Sequence, residues 1–413
     1  MLDQITRHFL DSRDFHGLVV SRFVEQGDAT WPETKAALAD LVRAGCVTLN
    51  FAEMNPFVKN FPDESVERQL EQLAPLESPG ILCAYPTASA VGNAVNRFSD
   101  RPFSQMLANG HGHLELLFFD LAVLEMYSAD PRYHFEFRSY SGWISIRDDY
   151  CFDDDTRERD KIYLKSFGLA YDPKDRRVLA VYLTDLAKLS PEHQQYWRTK
   201  QISDECKVLK EYQDNTLGGI WVDTGSFYAA LLHEQAEINK LCELIGRSPM
   251  FRETFERQWP PGYSIFFRPT KRNFLNFVHT LDKILSDNIN KDFFGDDIPD
   301  KEIVELPDGT REIKPLGTLR MLKNWLKEQI RFNDSDGLER LMKPLREIRE
   351  LRSRNAHQLV VDEFDQKYHD EQDRLVLDVY YSLASLRRLF AEHPDASSYE
   401  PPSFLNPEKL RLF

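Results

Sequence analysis

Apolar and polar positions along this chain follow two regimes, which meet near residue 250. Before that point helical spacing is interleaved with strict alternation. "MLDQITRHFLDSRDF" reads as a helix and "HGLVVSRFVEQ" as a short amphipathic turn. In "WPETKAALADLVRAGCVTLNF", Ala37, Leu38, Leu41 and Val42 keep helical spacing, Gly45 is a natural stop, and a strand follows. "PFVKNF" predicts the second strand of a hairpin with "VTLNF". "HLELLFFDLAVLEMYSADPRY" predicts a helix ended by Asp130-Pro131. "YHFEF" and "WISIRD" alternate on either side of "RSYSG", a hairpin signal. "KIYLKSFGLAYDPKDRRVLAVYL" repeats that pattern around a turn at Asp172-Pro173-Lys174-Asp175. A helix starts at Ser190 with Pro191 in its first position, and "SFYAALLHEQAEINKLCELIG" is a longer one stopped by Gly246.

"GRSPMFRETFERQWPPGYS", with three prolines and two glycines, makes a boundary, and beyond it helical spacing dominates. "KRNFLNFVHTLDKILSDNINKDFF" predicts a long helix with Phe274, Phe277, Val278, Leu281, Ile284 and Leu285 as its apolar stripe. "EIVELPDGTREIKP" is a charged hairpin with Asp308-Gly309 at its tip. Three further helices follow: "GTLRMLKNWLKEQIRF", "DGLERLMKPLREIRELRSRNAHQL" with Pro344 in its first half, and "QKYHDEQDRLVLDVYYSLASLRRLFAEH". The reading is a multi-domain α+β chain. Its parts are a module over 1–78, a mixed α+β region of unassigned role over 79–247, a helical bundle over 264–395 and a proline-bearing tail over 396–413.

Composition narrows the function classes. The chain has 413 residues and a net charge of −15, so any nucleic-acid contact needs a local basic patch working against the overall field. Five scattered cysteines without a CxxC pair fit reduced thiols in a cytoplasm rather than a cysteine-built zinc site. No stretch nears the roughly 20 apolar residues that span a bilayer, and the start lacks a secretory pattern, so no membrane partner is expected. His111 and His113 in "HGHLELL" read as a polar helix start rather than a metal pair. The acidic runs "RDDYCFDDDTRERD" and "GDDIPDKE" read as solvated turns. His193 and Trp197 read as packing residues, and His233-Glu234 lacks the second histidine of a zinc helix. No phosphate-binding glycine loop or serine-hydrolase motif is present, and no cofactor is expected.

The stretch with chemistry in it is "RELRSRNAHQL". Leu341, Leu345, Ile348 and Leu351 form the buried stripe of that helix, and Arg346, Arg349 and Arg352 recur every three residues on one face. His357 lies five residues past Arg352, about 7.5 Å along an ideal helix and about 140° around it. A guanidinium fork suits phosphate oxygens, and imidazole moves protons near neutral pH. Together they suffice for RNA scission without a metal. Arg354, with Lys343 and Arg340, adds local positive charge, and Asn355 sits between the two key residues. The structural alternative is a helix end whose cations offset the dipole, pair with Asp362, Glu363 and Asp365, or grip the protein's own acidic surface.

Arg352-Ser-Arg-Asn-Ala-His357 on the third long helix resembles the Arg-x4-His motif of HEPN domains, and the resemblance covers about 265 to 395. It implies a four- to five-helix bundle and a metal-independent ribonuclease of a toxin or antiphage defence system. It also implies a homodimer in which two motifs form one cleft. Arg352, His357 and Asn355 then take the catalytic positions, and Arg346, Arg349 and Arg354 the RNA-binding ones. Ser353 stands where active members often carry Asn, Asp or His. The N-terminal helix–helix–helix–strand order resembles a winged helix-turn-helix, though its presumed reading helix balances Lys35 and Arg43 against Glu33 and Asp40. The first two parts would then sense a trigger or bind a regulatory protein. A non-catalytic reading stays open, in which the bundle is a dimerisation or binding module and the winged helix contacts DNA or a protein.

Overall fold

The computed structural model describes residues 1–51, 55–59, 64–220, 225–305, 310–332, 334–355 and 361–413. It is mixed α+β and divides into two compact units, 1–137 with 141–213 and 214–413 with 138–140. The segments 1–78 and 79–247 drawn from the sequence fall across these units as follows. Most of the second shares a unit with the first, and its last helix joins the C-terminal helices.

The first unit opens with α1 (Leu2–Asp11), β1 (Leu18–Val19), α2 (Ser21–Glu25), α3 (Trp31–Arg43) and β2 (Val47–Asn50). A capping box starts α3: the Glu33 carboxylate accepts from the Thr30 amide at 2.8 Å, and Pro32 pre-sets the first turn. Gly45, at φ +65°, ends that turn and feeds β2. After β2 the chain forms α4 (Val66–Leu73) and then β3 (Cys83–Pro86). The three strands are antiparallel in the order β1-β3-β2. Ile5, Leu18, Val20, Phe23, Leu38, Val42, Val47 and Leu49 form the core beneath them.

The expected hairpin partner of β2 is corrected here. β2 pairs with β3, Val47 opposite Pro86 and Asn50 opposite Cys83. Of "PFVKNF", residues 60 and 61 lie outside the described residues, and 56–59 are a turn. The Asn50 side-chain Nδ2 donates to Pro56 O and Val58 O at 3.0 Å each, which holds that turn against the strand as a loop.

The rest of this unit is an antiparallel sheet. Its strands are β4 (Leu116–Phe119), β5 (Tyr133–Arg138), β6 (Ser141–Ile146), β7 (Tyr163–Tyr171), β8 (Arg177–Tyr182) and β9 (Gln201–Ile202), with β10 (Lys207–Val208) added to β7. The order is β5-β6-β7-β8-β4-β9. Both expected hairpins form. The second turns at Asp172, whose carboxylate accepts from the Lys174 and Arg176 amides while Asp175 takes φ +56°. The helix expected over "HLELLFFDLAVL" does not form. "LLFF" is β4, between β8 and β9, because a short apolar run rich in phenylalanine fits a strand covered on both faces as well as it fits a helix.

Two helices cover this sheet, α5 (Pro102–Ala108) and α6 (Pro191–Arg198), the latter capped by Ser190 on the His193 amide. Buried Gln194 accepts from the Phe103 and Ser104 amides, supplying the cap that α5 lacks, and donates to Ala187 O and Leu189 O. His193 and Trp197 are packing residues, as expected. The Trp197 indole donates to the Tyr127 hydroxyl at 3.0 Å, and that hydroxyl lies 2.8 Å from His193 Nδ1. Gly168 is required in β7, since a Cβ there would meet the Tyr212 ring at 2.2 Å.

The second unit is a bundle of five long helices: α7 (Phe227–Leu244), α8 (Lys271–Ile284), α9 (Thr318–Gln329), α10 (Gly337–Asn355) and α11 (Lys367–Ala391). Helix α7 carries buried residues all round, including Phe227, Leu231, Leu232, Ile238 and Leu241, and that makes it central rather than peripheral. Strand β11 (Gly225–Ser226) runs into α7, and β12 (Lys301–Glu305) with β13 (Arg311–Pro315) form a hairpin between α8 and α9. The Asp308-Gly309 tip lies outside the described residues. The proline-bearing tail is not loose. Its strand β14 (Leu410–Arg411) pairs in parallel with β11, and Leu405, Leu410 and Phe413 are buried.

One ion pair ties α7 to α11. Glu234, fully buried, receives Arg387 Nε at 2.6 Å and Nη2 at 3.2 Å. Burial pushes the Glu234 carboxyl up, and the guanidinium counters it. Removing one partner leaves a buried charge alone, at a cost of about 3–5 kcal/mol, whereas apolar replacement of both is tolerated. Arg387→Ala is therefore expected to lower stability by about that amount in urea unfolding. Glu234→Leu combined with Arg387→Met should recover most of the loss.

Candidate functional site

The arginine face of α10 meets the end of α8. The apolar stripe of α8 is buried as expected, but the helix stops at Ile284 rather than running on to Phe294. Leu285 leaves helical geometry at φ −101°, ψ −90°, and the freed Ile284 carbonyl is taken by the side-chain amides of Gln235 and Asn288. The break places two carboxylates together. Asp282 is in the last turn of α8, with no exposed surface, and accepts from the Ser286 hydroxyl. Asp287 lies in the following 3-10 turn.

Arg349 Nη1 reaches Asp282 Oδ2 and Asp287 Oδ1, both at 2.8 Å. Arg352 Nη1 reaches the same Asp282 oxygen, and Asp287 Oδ2 at 2.6 Å. Two arginines and two aspartates thus form one closed cluster. Each guanidinium is anchored through a single nitrogen. Among the described residues, Nε and Nη2 of Arg349 and Arg352 have no carboxylate partner, and the two side chains are 47% and 27% exposed. Hydrogen bonds to Asp282 and then Asp287 hold Arg352 more firmly protonated. Burial opposes ionisation of Asp287, yet Arg352 and Arg349 hold its carboxyl below the ordinary range.

The other expected residues disperse. Arg346 turns to Glu339 at 2.6 Å, and Arg354 to Glu350 at 3.2 Å. Asn355 is the last residue of α10, and His357 lies outside the described residues. Asp362 contacts Arg272, and Asp365 contacts Lys367, so these two acidic residues do not take the α10 arginines. That role falls to buried Asp282 and partly exposed Asp287 at the end of α8.

The sequence reading did not single out His279. It is exposed on α8, three residues before Asp282 and therefore on a neighbouring part of the same face. Partial burial, then Lys283 and Arg352 nearby, holds its imidazole below the usual pKa. The spacing His279-x-x-Asp282 was the available signal. Beside the cluster lies a groove of about 520 Å³, lined by Arg320, Lys323, Arg346, Arg349 and the start of α9 at Gly317–Thr318.

His111 and His113 stand in a turn that leads into β4, not at the helix start expected there. His113 Nδ1 accepts from the Lys59 amide at 3.1 Å while Nε2 meets Asp14 O at 2.9 Å, which uses both ring nitrogens. Among the described residues, no group of three or more His, Cys, Asp or Glu side chains is placed to hold a metal ion.

In the first unit, the face of α3 that would read DNA is covered in part by α4. Lys35 Nζ donates to Ala74 O at 2.5 Å and Leu76 O at 2.9 Å, and the Trp31 indole donates to Leu76 O at 3.1 Å.

Because the folded-state pKa of Asp287 lies below its ordinary 3.8, the cluster's stabilisation is present above that value and is lost as pH falls through the depressed one. Asp287→Asn is expected to flatten the decline in stability below about pH 4 relative to wild type, as followed by thermal unfolding across an acid pH series. Comparison with known proteins gives no match to any family model, curated protein or solved structure.

Proposed function

We propose that the C-terminal unit is a metal-independent, HEPN-type endoribonuclease, with the first unit in a regulatory role. The observation that carries this is the anchoring of Arg349 and Arg352. One nitrogen of each is fixed by Asp282 and Asp287, which leaves a guanidinium edge pre-set to hold phosphate oxygens. In the reaction, the 2′-oxygen attacks the adjacent phosphorus and the P–O5′ bond breaks. A histidine takes the 2′-hydroxyl proton, and a proton returns to the leaving O5′. Arg352 stabilises charge on the phosphorane, and Asp282 and Asp287 act as its positioning residues. His357 is the proton carrier on the resemblance, and His279 is the alternative on the facing helix. Toxin or antiphage duty, a cytoplasmic site, a homodimer and RNA as the partner follow from the same resemblance.

The second reading is a non-catalytic binding module, favoured by the balance of two carboxylates against two arginines in the cluster. The helix order and the β1-β3-β2 sheet support a winged-helix-like first module. The α4 cover over α3 favours a protein partner over DNA there.

The test incubates purified protein with labelled RNA in EDTA. Wild type is expected to cut. Arg352→Ala should lose about 10²–10³-fold in rate, and His357→Ala should abolish cutting while His279→Ala retains it. The reverse histidine result moves the proton-carrying role to His279. Cutting that all three variants keep would refute this site, and RNA that is bound but never cut would favour the binding module.

A further inference from the structure

The β12–β13 hairpin stands out from the helices with its apolar pair uncovered. Ile303 and Ile313 face each other across the ladder and are 68% and 66% exposed. A two-stranded hairpin alone in water is marginal, and an open edge is a template for another strand.

The hydrogen-bond phase of the ladder decides which edge is open. The Leu316 amide donates to Asp300 O at 2.8 Å, so the pairs Glu302–Lys314 and Val304–Glu312 point their amides inward. The amides of Lys301, Ile303 and Glu305 then point away on the β12 side. On the β13 side, those of Arg311 and Ile313 do so, and Pro315 has none. Proline therefore blunts the β13 edge, while the β12 edge keeps all three donors.

The sequence of β12, Lys-Glu-Ile-Val-Glu, is complementary to itself when run antiparallel about Ile303. Ile303 meets its own copy in a doubly hydrogen-bonded pair, and Lys301 faces the Glu305 of the second chain, twice. Each Glu305 then lies between its own Arg311 and the other chain's Lys301. On the same face the residues line up as Ile313, Ile303, Ile303, Ile313, a continuous apolar row across four strands.

We infer that β12 is a self-association edge at which two copies of this chain join their hairpins into a four-stranded antiparallel sheet centred on Ile303. This surface is built from the hairpin alone and does not rest on the reading of the arginine cluster.

Sedimentation velocity over a concentration series tests it with the full chain. Wild type is expected to show a monomer–dimer equilibrium. Lys301→Glu sets two carboxylate pairs face to face and should weaken the dimer by about tenfold or more. Adding Glu305→Lys restores opposite charges and should recover association. Ile313→Pro, on the already blunted edge, should leave the dimer in place. Ile303→Pro removes the central outward amide together with the isoleucine side chain, leaves the inward ladder bonds in place, and should abolish the dimer while the circular dichroism spectrum is unchanged. A strictly monomeric wild type, or a dimer indifferent to Lys301→Glu and Ile303→Pro, would overturn the inference.

Discussion

The C-terminal unit is organised around a carboxylate with no access to water. Asp282 sits at the end of α8 with its side chain fully buried. An isolated carboxylate in such a place costs several kcal/mol, so cations must be brought to it. Two constraints follow. The arginines of α10 must recur every three residues, so that Arg349 and Arg352 both reach one oxygen. The chain after Ile284 must turn so that Asp287 can balance the second positive charge. The helix break, the arginine spacing and the seating of α10 on α8 are therefore one solution to one electrostatic demand.

The same demand explains how an acidic protein carries so basic a helix. Of the α10 cations, Arg340, Arg346, Arg349, Arg352 and Arg354 all have carboxylate partners. Their charge is largely answered within the bundle, and the donors left over are few and fixed in direction. On the proposed reading, such a site would discriminate by geometry more than by field, because the net charge of −15 offers no long-range attraction to an anion.

Much of this fold was legible in the sequence. Amphipathic stripes gave α8, α10 and α11, the Asp172 turn gave the β7–β8 hairpin, and Ser190-Pro191 gave the start of α6. "LLFF" was misread because four apolar residues carry no period, and only the neighbouring strands decide their state. The partner of β2 was misread because the true one lies past α4, while a nearer apolar stretch imitated a strand. The arginine face of α10 was recognised, but its counter-charges were sought in the adjacent acidic stretch at 362–365. They come from 62 to 70 residues upstream, a separation that sequence spacing cannot express. The spacing of His279 to Asp282 is visible in the sequence, but only the folded bundle brings Arg352 near it.

The contact of α4 with α3 has a mechanical consequence. Two backbone carbonyls, at Ala74 and Leu76, hold the Lys35 ammonium and the Trp31 indole together. Displacing the turn that ends α4 would leave both donors without their acceptors at once. A partner that engaged this face of α3 would have to offer acceptors to both.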